Sequence, residues 1–172
     1  MKKIFAMLVL AAMTLTASAQ GLKTFDCKMF TCQYPDDFEA QEQWMDEAFN
    51  AKIEGSQEFF SVSVMKDQDM TVQQLKDWAE GMRMMTERQF GEPTGWKAGP
   101  VVLKGKTVTF RSEGEEDDYI DGQDVKVPTV KMSFCVAQPG KIVFCGELKF
   151  KKSNEAKYKP LFNKILASLK AK

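Results

Sequence analysis

Four cysteines, Cys27, Cys32, Cys135 and Cys145, are the residues whose type and spacing could do chemistry in this chain. None of their spacings resembles the C-x-x-C pairs of zinc sites, and the sequence has no histidine to complete a mixed ligand set. An even number of cysteines is typical of disulfides in an oxidising compartment, here two bridges with three connectivities. Buried free thiols are the alternative interpretation.

Strand register favours one of these connectivities. Segments 125–137 and 142–150 are predicted strands. After Pro128 the first has apolar residues at the even-numbered positions 132, 134 and 136, and the second has them at 142, 144, 148 and 150. An even-to-even register with the three-residue loop 139–141 keeps both apolar sets on one face and sets Cys135 opposite Cys145. Directly opposed residues of an antiparallel pair come within disulfide reach. We therefore predict this disulfide, and the other two cysteines then pair with each other by elimination.

The absence of histidine argues against several classes of enzyme and metal site. The chain lacks the commonest general base, the commonest activator of a serine or cysteine nucleophile and the commonest zinc and copper ligand. It also contains no G-x-S-x-G sequence, which many hydrolases use to present a catalytic serine. We therefore expect a protein that is not an enzyme and that carries no cofactor.

An acidic segment from Glu113 to Asp124 is a candidate calcium site, because Ca²⁺ prefers clustered carboxylate oxygens. Its acidic residues are Glu113, Glu115, Glu116, Asp117, Asp118, Asp121 and Asp124. The segment does not match D-x-[DN]-x-[DN]-G, and no glutamate stands at the required distance after Gly122. We interpret it as a solvated loop with Asp121-Gly122 as a hairpin turn, and a calcium site is the alternative.

Two further patterns have a functional and a structural interpretation. Thioether ligands for Cu(I) could come from Met82, Met84 and Met85. The structural interpretation is that Met82 and Met85 lie on the apolar stripe of a predicted helix and fill core space.

Eight lysines between residues 149 and 172 could dock an anionic surface, or they form the solvated face of the last strand and helix.

The tryptophans Trp44, Trp78 and Trp96 are the other candidates for an interaction surface. Trp78 lies on the same helix stripe, so we expect it in the core. Trp44 and Trp96 lie in polar, loop-like segments and are candidate interaction residues, with partial burial at a sheet edge as the alternative.

The first nineteen residues have the features of a signal peptide. Lys2 and Lys3 precede the almost entirely apolar run 4–15, and residues 17–19, Ala-Ser-Ala, form the small-x-small pattern of a cleavage site. Residue 20 is Gln rather than the Cys of a bacterial lipoprotein. We therefore predict cleavage after Ala19 and a periplasmic or secreted, soluble chain without a stable membrane anchor.

The mature part, residues 20–172, is predicted to be a single α+β domain. No internal repeat, low-complexity tract or Pro/Gly linker divides it. Removal of the two leader lysines from the 24 basic residues leaves 22 against 24 acidic residues. A net charge near −2 gives no reason to expect a nucleic-acid partner.

Apolar spacing places the helices and strands. A helix is predicted from Thr71 to about Phe90, with a capping box of Thr71 and Gln74. Its apolar stripe consists of Val72, Leu75, Trp78, Ala79, Met82 and Met85. A second helix closes the chain, with Pro160 in its first turn. Alternating residues predict strands at 30–34, 49–53, 60–64, 101–103, 107–111, 125–137 and 142–150.

The order of these elements resembles the PsbP-like superfamily over nearly the whole mature chain. The resemblance is carried also by the opening segment 34–38 (YPDDF) and the closing segment 162–169 (FNKILASL). That group includes an extrinsic subunit of the photosynthetic oxygen-evolving complex, a Ran-binding nuclear import factor and exported bacterial proteins of unknown role. It implies a twisted antiparallel sheet of about six strands with helices packed on it. It also makes residues 39–53 two strands, although their local composition favours helix.

The resemblance also implies a class of function, because known members act by binding, docking or assisting assembly. We therefore expect a non-catalytic exported module that docks an as yet unknown protein partner in the cell envelope. A periplasmic carrier of a small apolar ligand or metal ion is the alternative. An open apolar cavity between helix and sheet would favour the carrier, and a closed, dry space would favour the docking module.

Overall fold

A computed structural model describes residues 21–43, 45–120 and 122–172, so the predicted signal peptide and its cleavage site lie outside the described residues. In these ranges the helices are α1 (Val72–Glu87), α2 (Glu155–Ser168) and a 3₁₀-helix (Lys152–Asn154). The strands are β1 (Leu22–Asp26), β2 (Phe30–Pro35), β3 (Glu39–Ala40), β4 (Ala48–Lys52), β5 (Phe59–Met65), β6 (Arg88–Gln89), β7 (Glu92–Pro93), β8 (Lys97–Ala98), β9 (Val102–Lys104), β10 (Thr107–Ile120), β11 (Gln123–Gln138), β12 (Ile142–Lys151) and β13 (Lys170–Ala171). Neither α-helix in this part of the chain is long and apolar enough to cross a membrane.

Most strands join one antiparallel main sheet. Its order is β3-β4-β5-β12-β11-β10-β8, and β9 also pairs with β10, so the described residues form eight strands in it rather than the six or so expected. Strands β1, β2 and β13 form a small second sheet, and β6 pairs with β7. The predicted α+β class with an open, twisted antiparallel sheet is confirmed.

The central strands pair in the register that their apolar positions predict. Met132 lies opposite Leu148 and Val136 opposite Phe144. The three-residue connection between β11 and β12 includes Gly140, whose φ of 82° is the left-handed conformation that glycine adopts most easily. A one-residue slip would have moved one strand's apolar set to the opposite face. The match therefore fixes which side chains each face presents.

The main core lies on the face that the even-numbered residues of β11 and β12 share. Tyr158, Phe162 and Ile165 of α2 are buried there, and the small sheet packs beside them. The ring centres of Phe134 and Phe162 are 5.9 Å apart and those of Phe38 and Tyr158 are 5.5 Å apart, both edge to face. Such pairs add about 0.5–1.5 kcal/mol beyond burial. Helix α2 and the small sheet therefore close this face over the central strands.

Helix α2 begins earlier than predicted. We expected Pro160 in its first turn, but the helix starts at Glu155 and Pro160 is inside it. The proline ring removes the donor that would bond to the carbonyl of Ala156. Because Ala156 is exposed, water can satisfy that carbonyl. The start is held by Arg111 of β10, whose Nε and Nη2 lie 3.0 and 2.8 Å from the carboxylate oxygens of Glu155.

The acidic segment is strand, not loop, and this corrects the prediction. Strands β10 and β11 pair along their whole length, up to Ile120 opposite Gln123. Gly122, one of the two residues of the predicted turn, has a φ of 81°, and Asp121, the other, lies outside the described residues.

Lysines at the end of β12 explain why so acidic a segment forms a strand. The ion pairs join Lys149 to Glu116 at 2.5 Å, Lys151 to Asp118 at 2.7 Å and Lys152 to Glu113 at 2.6 Å. Lys149 and Asp118 are almost fully buried, so each needs the opposite charge beside it. The carboxylates therefore face cations instead of repelling one another.

Residues 39–53 form two strands, as the resemblance implies and against the local preference for helix. Glu39 of β3 lies opposite Lys52 of β4, and Ala48 lies opposite Ser63 of β5. Phe49 of β4 is buried in the main core. Burial against neighbouring strands therefore outweighs local propensity here.

Helix α1 begins as predicted and ends earlier. Thr71 Oγ1 accepts a hydrogen bond from the N–H of Gln74 at 3.2 Å, and Gln74 Oε1 accepts one from the N–H of Thr71 at 2.9 Å. The helix ends at Glu87 rather than near Phe90, because Arg88 is extended and starts the hairpin of β6 and β7.

Candidate functional site

Helix α1 lies over the second face of the main sheet and leaves a cavity of about 360 Å³ beneath it. The cavity floor consists of two rows of side chains that cross strands β4, β5, β12, β11 and β10. Each row follows from strand register, since directly opposed residues point to the same face. The floor therefore uses the odd-numbered positions of β11 and β12, which point away from the main core.

The first row, the small row, consists of Ala48, Ser63, Cys145, Cys135 and Val108. Val108 and both cysteines form one buried cluster with Leu75 and Ala79 of α1. These small side chains allow the helix to come close to the sheet here, and this contact holds α1 in place.

The second row, the polar row, lies two residues further along each strand. It consists of Asn50, Ser61, Glu147, Ser133 and Phe110. Asn50 is exposed, whereas Ser133 is almost fully buried. Among the floor serines that the structure describes, only Ser63 donates a hydrogen bond, to the carbonyl of Cys145 at 3.4 Å. The hydroxyls of Ser61 and Ser133 are thus free to bind a ligand.

The roof of the cavity consists of Trp78, Ala79 and Met82. We predicted Trp78, Met82 and Met85 as core residues, and this was wrong: Leu75 and Ala79 are the buried residues of α1. Trp78 is 37% exposed and Met82 39% exposed. The physical reason is that the small floor side chains do not reach up to meet them. The unfilled space is the cavity, and it opens to solvent beside the two side chains.

Cys135 and Cys145 lie opposite each other in the small row, so the predicted register is confirmed. Their sulfur atoms are 2.8 Å apart and both cysteines are free thiols in this structure. The disulfide itself stays a prediction. Burial, followed by the contact with Cys145, raises the pKa of Cys135 far above its usual range. The thiol of Cys135 is therefore protonated at neutral pH.

Cys27 and Cys32 lie elsewhere, on the small second sheet. Cys32 is opposite Phe25, and the N–H of Cys27 bonds to the carbonyl of Phe30 at 3.1 Å. The two cysteines are therefore diagonal rather than directly opposed, and both are free thiols. Burial, followed by the charge of Cys27, raises the pKa of Cys32 to about 12. Their disulfide stays a prediction to which the register gives no direct support.

Lys131 and Trp96 lie beside the polar row. Lys131 Nζ is 3.8 Å from Glu147 Oε2 and 4.7 Å from the centre of the Trp96 ring. The ring packs over Gly114, where an added Cβ would lie 2.6 Å from the nearest ring atom. Trp96 is thus half-buried at the sheet edge, and its role as an interaction residue stays a prediction. Trp44, the other candidate, lies outside the described residues.

The geometry does not favour a metal site. No three cysteine, aspartate or glutamate side chains in the described ranges form a group that could hold a metal ion. Glu113, Glu116 and Asp118 of the acidic segment bind lysines, so their oxygens do not converge on a calcium ion. Met82, Met84 and Met85, the candidate copper ligands, are all exposed on α1.

The lysines between residues 149 and 172 are largely paired with the chain's own carboxylates. Six of the eight take part in ion pairs, which involve Lys149, Lys151, Lys152, Lys157, Lys159 and Lys172. Pairing within the chain reduces the positive charge that an anionic surface would meet.

Sequence reasoning missed the cavity, although a signal was present. On β5, β11 and β12 the positions that face the main core carry large apolar residues. The alternate positions include a run of small residues, namely Ser61, Ser63, Ser133, Cys135 and Cys145. A face of small side chains beneath an amphipathic helix predicts space between them, because interiors fill only where side chains are large enough.

Comparison with known proteins finds similarity at the level of structure. No family profile and no curated protein matches the sequence. The chain is similar to a crystal structure from Bacteroides thetaiotaomicron, with a TM-score of 0.50 and 15% identity. The match covers 88% of this chain and 49% of the chain in that structure. It is also similar to the cyanobacterial PsbP (CyanoP) of Synechocystis sp. PCC 6803, with a TM-score of 0.51, 14% identity and coverage of 88% and 93%.

A third similar structure is the Ran-binding protein Mog1p of Saccharomyces cerevisiae, with a TM-score of 0.50, 11% identity and coverage of 87% of this chain and 94% of that one. Identities this low show the fold alone. The predicted resemblance is confirmed at that level: the chain has the PsbP-like fold that CyanoP and Mog1p share.

Proposed function

We propose that this chain is a non-catalytic binding protein of the cell envelope and that the cavity beneath α1 holds a small, largely apolar molecule. The observation that carries this proposal is the open, mostly apolar cavity of about 360 Å³ between helix and sheet. Ligand pockets typically measure about 300–1,000 Å³ and have apolar walls with a few polar groups. A dry cavity of about 150 Å³ binds benzene. This cavity therefore has room for roughly twice as large a molecule.

The cavity walls support binding rather than catalysis. Glu147 is the one carboxylate among the described residues that line the cavity, and no histidine exists in the chain to work with it. The raised pKa of Cys135 keeps its thiol protonated, so it is a poor nucleophile at neutral pH. These walls offer contact area and hydrogen bonds, but no acid–base pair.

A direct binding measurement tests the ligand proposal. The fluorescent apolar probe N-phenyl-1-naphthylamine should bind the purified mature chain with increased emission. Ser63→Leu puts a larger side chain into the small row and should weaken binding by at least about tenfold, a loss of about 1.4 kcal/mol. Ser153→Leu, the same change at an exposed position, should leave the affinity unchanged. Unaltered probe binding by a folded Ser63→Leu variant would show that the cavity is not the site.

We place the protein in the cell envelope because residues 1–19 have the pattern of a cleaved signal peptide. Intact mass spectrometry of the periplasmic fraction should find a chain that begins at Gln20, with or without cyclisation of that residue. A membrane-retained chain that still carries Met1 would overturn this placement.

A second candidate function is docking of a protein partner. Met85 and Phe90, which are 67% and 97% exposed, line one shallow groove beyond the end of α1. Exposed apolar groups of this kind mark interaction sites. A photo-cross-linking residue at position 84 should then capture a partner in cell-envelope extract. Phe90→Ser should abolish that capture, and Ser63→Leu should not.

A further inference from the structure

We propose that the ligand of this cavity is amphipathic, with an apolar body beneath α1 and a hydrogen-bond-donating head, an alcohol or an amine, at Glu147. This inference rests on the proposed function and names the chemistry of the same site. It follows from the difference between the two rows of the floor.

The small row forms the apolar end of the cavity. Val108 and Cys135 are almost fully buried there beneath α1, and Trp78 and Met82 lie above the floor. No charged side chain belongs to this row. Ser63, the one hydroxyl in the row, already donates to the carbonyl of Cys145. This end therefore favours an apolar group, which loses no hydrogen bonds to water when it enters.

The polar row presents a carboxylate with unused hydrogen-bonding capacity. Glu147 lies directly between Ser61 and Ser133 in the register. Its one ion pair in the described part of the chain is with Lys131, at 3.8 Å from Oε2, which leaves Oε1 without a partner. An ionised carboxylate only accepts hydrogen bonds, so a matching head must donate them. The serine hydroxyls on either side can donate or accept and therefore suit a hydroxyl head.

The cations near the polar row are already engaged. Lys149 Nζ is 2.5 Å from Glu116 and 4.5 Å from the centre of the Phe59 ring. Lys131 is held between Glu147 and the Trp96 ring and does not line the cavity. A carboxylate head would therefore meet Glu147 without a free cation to balance it.

The spacing of the rows sets the distance between the head and the apolar end of the cavity. Adjacent rows are two residues apart along each strand, or about 6.6 Å. The head must therefore be attached directly to the apolar body. Simple eight-carbon compounds fulfil this condition and differ only in the head.

The test compares octan-1-ol, octylamine and sodium octanoate as competitors of N-phenyl-1-naphthylamine at neutral pH. We expect the alcohol and the amine to displace the probe at concentrations at least about tenfold lower than octanoate, as hydrogen bonds to a charged group predict. Glu147→Gln should reduce this preference to less than about threefold, because the neutral amide no longer repels octanoate. Glu115→Gln removes the same charge at an exposed position and should keep the full preference.

The outcomes separate the two proposals. Equal displacement by all three compounds, or tighter binding of octanoate, would overturn the head-group inference and leave the apolar cavity as the binding site. A preference that survives Glu147→Gln would also overturn it. Failure of the probe and of all three compounds to bind would overturn the proposed function itself.

Discussion

Cys135 and Cys145 show how much a single pair of opposed residues can determine. They lie in the centre of the sheet, directly opposite each other and buried beneath α1. In an oxidising compartment this placement favours a bond between them, because little backbone movement is needed. Under reduction the same residues are small apolar fillers of the cavity floor.

We predict that protein isolated from the periplasm contains the Cys135–Cys145 disulfide, which peptide mapping without reductant should detect. Closing so short a loop is expected to stabilise the fold by about 2–3 kcal/mol. Urea denaturation of oxidised protein and of the double variant Cys135→Ala, Cys145→Ala should show this difference, which disappears when the comparison uses reduced protein. A Cys27–Cys145 peptide, or four free thiols in periplasmic protein, would contradict it.

Gly146 is a second position that determines stability, because it leaves no room for even one side-chain atom. An added Cβ would lie 2.1 Å from the carbonyl oxygen of Ser61 and 2.9 Å from the Cα of Val62, both on the neighbouring strand. Because the obstruction is backbone, a rotamer change cannot relieve it. Gly146→Ala should lower the free energy of unfolding by more than about 3 kcal/mol, measured by urea denaturation.

Gly81 supplies the matched control for that substitution. Nothing lies within 4 Å of a Cβ added there, and the residue is inside helix α1. Gly81→Ala should therefore raise stability by up to about 1 kcal/mol. Similar effects at both glycines would refute the steric argument.

At the scale of elements, α1 is held by two residues and not by its whole apolar stripe. Leu75→Ala should cost about 2.7–5 kcal/mol, because it leaves a hole in a closed cluster. Trp78→Ala removes a side chain that already borders open space, and we expect a loss of about 1 kcal/mol. Equal losses, measured by denaturant unfolding, would mean that Trp78 is packed as fully as Leu75.

The link between β10 and α2 makes stability depend on pH. Hydrogen bonds from Arg111 hold the pKa of Glu155 below its usual range, although partial burial opposes the shift. A carboxyl with a lowered folded-state pKa stabilises the fold above its unfolded-state pKa, and this contribution is lost as the pH falls through the folded-state value. Glu155→Gln should therefore cost about 1 kcal/mol at pH 7.

That cost should shrink as the pH falls below the unfolded-state pKa and through the lowered folded-state pKa, because wild-type Glu155 then becomes protonated too. Urea titrations of wild type and Glu155→Gln across this range measure the change. The exposed variant Glu115→Gln serves as the control for loss of one negative charge. A difference that stays constant with pH would mean that the charge of Glu155 contributes nothing.

Elements were predictable where a pattern was purely local or purely periodic. The capping box of Thr71 and Gln74 and the register of β11 against β12 are both present in the structure. The acidic strand was not predictable in this way, because the lysines that neutralise it lie 33 to 39 residues later in the chain. The cavity was not predicted for a related reason, because the burial of Trp78 depends on the size of floor residues on other strands.

At the scale of the molecule, stability is distributed unevenly along the main sheet. Strand β12 lies between β5 and β11, with a helix over each face. Within the described residues, no third strand pairs with the outer part of the β10–β11 hairpin, residues 115–120 and 123–128. A two-stranded ribbon is only marginally stable alone.

Hydrogen exchange should therefore be slowest in β12 and the inner half of β11, and much faster in residues 115–120 and 123–128. Mass spectrometry of exchanging peptides measures this at neutral pH. Raising the salt concentration should speed exchange in the outer hairpin, since the ion pairs of Asp117 with Lys126 and of Asp118 with Lys151 help to hold it. Uniform protection along β10 and β11 would contradict this description.

The shortness of the outermost strands has a consequence for the behaviour of the chain among its own copies. β3 and β8 contain two residues each, and β9 contains three. Long bare edges act as templates on which another chain can add a strand, and this is how soluble sheets begin to aggregate. Here each outermost strand offers little more than one backbone pairing site and carries a charge, Glu39 on β3 and Lys97 on β8. These two strands thus end the sheet in a form that discourages growth.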